Sequence, residues 1–230
     1  MPGEIVILLL GPTQSGKTAF ARCATRQKWE GGGSTTDCKE YTARVDDKVF
    51  RIIDTPGFDD TPAANLGALG KIAKKLSELG QAEVSGVVYF HRITNTRLTG
   101  SARSSIEIFE QICGVSFLSK SRVIFATTMW NTISDEWRKK YELLENELKN
   151  KQLKHLASNT VKFPRFNAAT ESAHDILRYL AKLEAPTDKF RLQLTREIQQ
   201  SGATPSGVRR TAAGRLIGKG MGRGGFCTIL

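Results

Sequence analysis

The sequence predicts an α/β chain wound as a doubly wound, mostly parallel sheet, and three observations carry that expectation. An apolar strand runs straight into a glycine-rich loop at residues 5–18, Ile-Val-Ile-Leu-Leu-Leu-Gly-Pro-Thr-Gln-Ser-Gly-Lys-Thr. Compact apolar runs recur at Val84–Phe90 and Ser121–Thr127, of the kind buried on both faces of a parallel sheet. Segments with helical spacing separate these runs. A sheet built from such an alternation binds its ligand at the carboxyl ends of its strands.

Each element follows in order. The first strand, Ile5–Leu10, leads into a helix beginning near Lys17 and continuing through Ala19-Phe20-Ala21-Arg22-Cys23-Ala24. Glu30 to Lys39 is polar and glycine-rich and reads as a loop. Glu40–Val45 and Lys48–Ile53 read as a hairpin-like strand pair turning at Asp46-Asp47. Leu66, Leu69, Ile72, Ala73, Leu76 and Leu79 recur at helical spacing, and Ile106, Phe109 and Ile112 mark the helix between the fourth and fifth strands. Glu136–Lys151 is amphipathic, with Trp137, Tyr141, Leu144 and Leu148 on one face. Its Glu136–Lys140 and Glu145–Lys149 spacings suit i,i+4 ion pairs on an exposed helix. A short strand near Val161–Phe163 and a helix at Ser172–Leu183 complete the alternation, and Pro186 interrupts it. A last helix, about Thr187–Gln200, places Phe190, Leu194 and Ile198 on one face. From Ser201 onward glycine, arginine and small residues predominate, a composition that predicts no core. The expected division is a nucleotide domain at 1–185, a C-terminal helix at 186–200 and a flexible basic tail at 201–230.

The bounds agree with one domain. A chain of 230 residues, 40% of them hydrophobic, buries one good core. No apolar run approaches the roughly 18 residues that span a bilayer, and Met1-Pro2-Gly3-Glu4 lacks the basic start of a signal peptide. Cys23, Cys38, Cys113 and Cys227 have no metal spacing and read as reduced thiols of a cytoplasmic protein. Of the net charge of +11, +5 comes from Arg209, Arg210, Arg215, Lys219 and Arg223 in a segment without Asp or Glu. An anionic partner surface suits that balance; the sequence carries no zinc-finger spacing or aromatic RNA signature, and a nucleic-acid partner is not expected.

The glycine-rich loop is a complete G-x-x-x-x-G-K-[ST] motif from Gly11 to Thr18. Gly11 and Gly16 let the backbone curl, so that the N–H groups from Gln14, Ser15 and Gly16 through Lys17, Thr18 and Ala19 can converge on β- and γ-phosphate oxygens. Lys17 reaches the same oxygens as a point charge, the Thr18 hydroxyl suits Mg²⁺, and the helix that starts there aims its positive end at the anion. A nucleoside triphosphate is therefore the expected ligand. A second motif, Asp54-Thr55-Pro56-Gly57, follows the third strand 36 residues after Thr18. An aspartate at a strand end can hold Mg²⁺ through water, and Gly57 can offer its N–H to the γ-phosphate without a side chain in the way. Between the motifs Ser34-Thr35-Thr36 supplies a threonine able to close over the metal, Thr35 or Thr36. The pair of motifs points to a GTPase-type protein rather than a nucleoside kinase.

These residues, with His91-Arg92-Ile93-Thr94 after the fourth strand and Thr127-Thr128-Met129-Trp130 after the fifth, resemble the immunity-associated (AIG/IMAP) P-loop GTPases. That family is related to the septins and to the chloroplast outer-envelope import GTPases; the likeness is to a divergent, fungal-type branch and spans about residues 4–184. It implies a G domain that binds GTP and GDP with Mg²⁺, slow hydrolysis and self-association as a homodimer across the G domain. Two departures stand out. The family's guanine reader is [NT]-K-x-D, and here the aligned residues are Thr128-Met129-Trp130-Asn131. Met129 can still cover the base, but Asn131 has one acceptor oxygen and a donor that opposes guanine's amine, so discrimination against ATP should fall. The last base-contact loop would be Phe166-Asn167-Ala168-Ala169, with Asn167 facing the base. At position 58, where many switch GTPases carry a water-orienting glutamine, the residue is Phe58. Beyond Lys17, catalysis would then fall to His91 or Arg92 supplied across a dimer. The alternative is an inert, nucleotide-stabilised scaffold of relaxed ATP/GTP specificity.

The final residues, Cys227-Thr228-Ile229-Leu230, fit the C-a-a-X prenylation pattern, with Leu230 favouring geranylgeranyl. A lipid on Cys227 beside five cations is the two-signal arrangement for peripheral membrane attachment of a cytoplasmic protein.

Overall fold

β1, Ile5–Leu10, lies at the centre of the sheet because both of its faces are apolar. Ile7 and Leu9 point into one core with Phe20, Ile52, Val88 and Leu177. Val6, Leu8 and Leu10 point into the other with Leu69, Ile72, Tyr89 and Phe109. This alternation lets helices cover both faces, as the doubly wound expectation requires. The structure is a computed structural model that describes residues 4–27, 34–59, 61–80, 83–95, 100–119, 121–157, 161–182 and 191–222.

Five strands lie in the order β2-β3-β1-β4-β5. β2 (Lys39–Val45) and β3 (Lys48–Asp54) form an antiparallel hairpin through the turn at Asp46, whose φ is 54°. β3, β1, β4 (Val84–Arg92) and β5 (Val123–Thr128) run parallel. α1 (Lys17–Ala24) and α7 (Thr170–Ala181) cover one face. α2 (Pro62–Glu78), α3 (Gly100–Cys113) and the short α4 (Val115–Leu118) cover the other. α5 (Asp135–Glu147) and α6 (Lys154–Ala157) sit between β5 and α7 in sequence. No helix among the described residues is long and apolar enough to cross a membrane.

Three expectations change. Val161–Phe163 is not a regular strand: the stretch from Lys162 to Arg165 pairs with β5 only by isolated bridges, Ile124 with Lys162 and Thr127 with Arg165, while Phe163 packs its ring on Phe125. The helix expected over 136–151 stops at Glu147 and continues as a π turn over Leu148–Gln152. Its surface ion pairs are replaced: Lys140 lies 4.7 Å over the Trp137 ring, and Glu145 turns inward to Thr127 and Arg165.

The largest difference is at the C-terminus. The last predicted helix is described as α8 (Gln193–Ser201), with 183–190 outside the described residues. The segment expected to be a flexible tail instead forms α9 (Pro205–Arg210) and α10 (Ala212–Gly222). Thr204 caps α9 through a bond from the Gly207 N–H, and Glu197 accepts the Ala212 N–H at the start of α10. Val208, Ala213 and Ile217 are buried in the same core as α2 and α3. Three apolar side chains spread over two short helices are too sparse to read from a glycine- and arginine-rich composition; docking stabilises helices whose own propensity is poor. Arg209, Arg210, Arg215 and Lys219 lie exposed on the solvent face of these helices.

Candidate functional site: a phosphate loop and its base pocket

The loop between β1 and α1 curls as its glycines predicted. Gly11 has φ 140° and Gly16 φ 100°. A Cβ on Gly11 would stand 2.5 Å from the Phe90 carbonyl oxygen, so only glycine permits this approach to β4. A cavity of about 730 Å³ opens above the loop, large enough for a nucleoside triphosphate, and Gln14 to Ala19 line its floor. Lys17 is buried, and its ammonium donates to the carbonyls of Gly11 at 3.1 Å and Pro12 at 2.8 Å. Burial pulls its pKa down to about 8 against the opposing pull of Asp54 and Asp59.

The three residues expected at the metal converge. Thr18 Oγ1 donates to Asp54 Oδ2 at 2.7 Å, Thr35 Oγ1 donates to the same oxygen at 3.2 Å, and the two hydroxyls lie 2.9 Å apart. Of the paired threonines Thr35 is therefore the one bonded to Asp54; the Thr36 carbonyl accepts from Lys71. Asp54 is buried with its Oδ1 unpartnered, and burial raises its pKa. A buried carboxylate oxygen with no donor, flanked by two hydroxyls, fits a hard divalent cation such as Mg²⁺.

The turn after Asp54 is zipped to the phosphate loop. Phe58 N donates to the Gly11 carbonyl at 3.2 Å, and Thr13 N donates to the Phe58 carbonyl at 3.3 Å. Gly57 lines the cavity. The Phe58 side chain points the other way, into the core beside Leu69.

At the base end Thr128, Met129, Asn131, Phe166 and Ala168 line the cavity together with Arg22, Cys23 and Gln27 of the α1 region. The Thr128 hydroxyl donates to the Ser15 carbonyl at 2.9 Å, tying the base loop to the phosphate loop. Asn167, expected to face the base, does not line the cavity. Its side chain accepts the Ala169 N–H at 3.2 Å in a local turn, which leaves Ala168 (φ 60°) to reach the cavity. Arg22, Cys23 and Gln27 carried no motif that could have singled them out.

His91 also departs from expectation. Its ring is 1% exposed, packs at 5.7 Å from Phe125, and takes no part in the cavity. Burial lowers its pKa to about 4, with a backbone hydrogen bond to Asn95 opposing, so it is neutral at ordinary pH. Its position on β4, with even-numbered neighbours facing the other core, sends it into the sheet rather than to the phosphates. Cys227 and its neighbours lie outside the described residues.

No protein-family profile matches the sequence, and no curated protein sequence matches it. Solved structures do match in shape. Era in complex with MgGDPNP and a segment of 16S ribosomal RNA superposes with a TM-score of 0.58 at 13% identity, over 80% of this chain and 58% of that one. Toc33 from Arabidopsis thaliana, a dimerisation-deficient variant, gives 0.55 at 13% identity, over 91% and 87%. Aquifex aeolicus Era bound to GDP and aluminium fluoride gives 0.55 at 14% identity, over 86% and 64%. The chain thus spans less than two thirds of the length of either Era chain. The fold is that of a P-loop NTPase G domain.

Proposed function

We propose that the protein is a guanine-nucleotide-binding switch that takes GTP and GDP with Mg²⁺. The observation that carries this reading is the convergence of Thr18, Thr35 and Asp54 beside Lys17 at the carboxyl end of β1. The G-domain neighbours support it: the Era structures hold MgGDPNP and GDP with aluminium fluoride. Gln14 to Ala19 would cradle the phosphates, Lys17 would balance their charge, and Thr18, Thr35 and Asp54 would hold the metal. When bound, Mg²⁺ neutralises charge on the β- and γ-phosphates. Identification of the nucleotide that co-purifies with the protein tests the reading directly; a preparation that holds none and binds none with Mg²⁺ overturns it.

Hydrolysis would be slow, because Phe58 anchors the core and orients no water. Single-turnover GTP hydrolysis separates a slow GTPase from an inert scaffold, which would show no product above the uncatalysed rate.

The base should be read loosely. Asn131 offers one acceptor and one amide donor, whereas guanine presents two donors side by side at N1 and its amine. The wild type is expected to prefer GTP over ATP by no more than about tenfold, and Asn131→Asp to sharpen that preference. A base with a carbonyl at C2, xanthine, instead accepts from the amide of Asn131, so XTP should compete at least as well as GTP in the wild type and lose ground in Asn131→Asp. Competition titrations across the three triphosphates check this; strong GTP selectivity in the wild type would mean that other residues read the base.

We further propose that Cys227 is prenylated and that the protein is held at a membrane surface, where exposed Arg209, Arg210, Arg215 and Lys219 would face anionic lipid. Produced in eukaryotic cells, it is expected to sediment with membranes, and Cys227→Ser to release it into the soluble fraction. An unmodified Cys227 in intact-mass spectra of that material would overturn the lipid reading. Self-association across the G domain rests on the family resemblance and on a neighbour, Toc33, whose variant was described as dimerisation-deficient.

A further inference from the structure

The two loops at the base end are separated in sequence, yet a closed ring of side chains joins them. Trp130, 3% exposed, donates its indole N–H to Thr127 Oγ1 at 2.9 Å. Thr127 donates onward to Glu145 Oε1 at 2.6 Å. Glu145 Oε2 accepts from Arg165 twice, from Nε at 2.8 Å and from Nη2 at 2.6 Å. Arg165 reaches Glu142 with its remaining arm at 3.1 Å, and its guanidinium carbon lies 3.9 Å over the Trp130 ring, which closes the circuit. The backbone follows the same path: Phe166 N donates to the Thr127 carbonyl at 2.8 Å, and Thr127 N to the Pro164 carbonyl at 3.0 Å.

Three of the ring's members, Trp130, Thr127 and Arg165, sit next to a residue that lines the cavity. Trp130 lies between Met129 and Asn131, Thr127 precedes Thr128, and Arg165 precedes Phe166. Met129 holds a left-handed backbone, φ 67°, that a side-chain-bearing residue adopts only when its surroundings enforce it. Thr132 Oγ1, donating to the Met129 carbonyl at 2.8 Å, and the buried Trp130 supply that enforcement. Only arginine can present a planar fork to one carboxylate and a flat cationic face to an indole at once. Helix α5, which contributes Glu142 and Glu145, has no fully buried residue of its own. The ring therefore also ties that helix to the pocket.

We propose that Arg165 is a positioning residue for base recognition: through Trp130 and Phe166 it holds the two base loops as one unit that closes on the nucleotide's base. The inference rests on the nucleotide-binding reading above. It predicts a loss confined to the base, because the phosphate loop lies outside the ring.

The test compares two probes, fluorescent GDP and inorganic tripolyphosphate, on the wild type and on Arg165→Ala. The alanine variant is expected to bind GDP about tenfold more weakly, the loss of hydrogen bonds to a charged group, with tripolyphosphate affinity unchanged. Arg165→Lys should recover little, since an ammonium neither forks nor stacks. Glu145→Gln added to Arg165→Ala should cost less than the two single losses combined, because both break one ring. Should the alanine variant not fold, Arg165→Lys carries the same comparison. A merely structural role would lower the melting temperature and weaken both probes equally, or leave both unchanged, and either outcome overturns the inference while the nucleotide-binding reading stands. A wild type that binds neither probe overturns both.

Discussion

Lys17→Ala is expected to abolish nucleoside triphosphate binding, with no saturation at millimolar GTP by calorimetry, in a chain that still folds. Besides Lys17, the residues at the floor of the cavity carry no positive side chain until Arg22, a full turn along α1. The charge that Lys17 would place on the β- and γ-oxygens in the proposed reading therefore has no substitute there. The loss should not come from unfolding. Burial holds the lysine pKa at about 8, below its ordinary 10.5, so the folded state disfavours the charged form. That penalty on stability is full below pH 8 and fades as pH rises toward 10.5; removing the charge relieves it. Lys17→Met, which keeps the aliphatic stem, is the control, expected to melt no lower than wild type and to bind no better than Lys17→Ala. The same shift gives a pH dependence. Phosphate oxygens favour the ammonium, so on the proposed reading affinity should fall as pH rises above 8. An affinity that holds steady to pH 10 would remove Lys17 from the phosphate contacts.

Gly57→Ala is expected to erase the protein's distinction between GTP and GDP. A Cβ at this position would stand 2.3 Å from Thr13 N and 2.4 Å from Thr13 Cα, both backbone atoms that no rotamer can clear. The turn must lift from the phosphate loop, which breaks the pair of bonds between Phe58 and residues Gly11 and Thr13. Overpacking of this kind costs about 1–3 kcal/mol of stability. GDP, which needs only the loop floor, should still bind. On the proposed reading the Gly57 N–H meets the γ-phosphate, so the added affinity from that phosphate should vanish. Paired titrations of GTP and GDP measure this, with Phe58→Leu as the companion that thins the core anchor and leaves the backbone approach intact. A Gly57→Ala protein that keeps the wild-type GTP-to-GDP ratio would show that the turn does not sense the third phosphate.

Much of the site is legible in the sequence because its chemistry is local. The G-x-x-x-x-G-K-[ST] spacing dictates a backbone curl, and the curl is there, with Gly11 and Gly16 at positive φ. Asp54 at the end of an apolar strand, beside Thr18 at a helix start, had to meet once both strands entered one parallel sheet. The hairpin turn at Asp46 was equally readable, since a tight antiparallel turn leaves few alternatives. Side-chain direction was less readable. The order of residues on β4 does not say which face His91 takes, and only the packing of Phe125 and the opposite core reveals that it turns inward. Asn167 and Ala168 exchange roles for a similar reason, because a one-residue turn decides which of them reaches the cavity.

By itself, then, the sequence determined what depends on neighbours a few positions apart: the strands and most helices, the curl of the glycine-rich loop, the aspartate at the end of β3 and the order of the elements. Tertiary structure alone decided which of two threonines closes on Asp54, that Glu145 serves Thr127 and Arg165 rather than a lysine on its own helix, and that residues 205–222 fold onto α2 and α3. Those outcomes depend on partners far apart in the chain. Hydrophobic periodicity specifies which face of an element is buried, but the atoms that it meets are set by the packing of the whole domain.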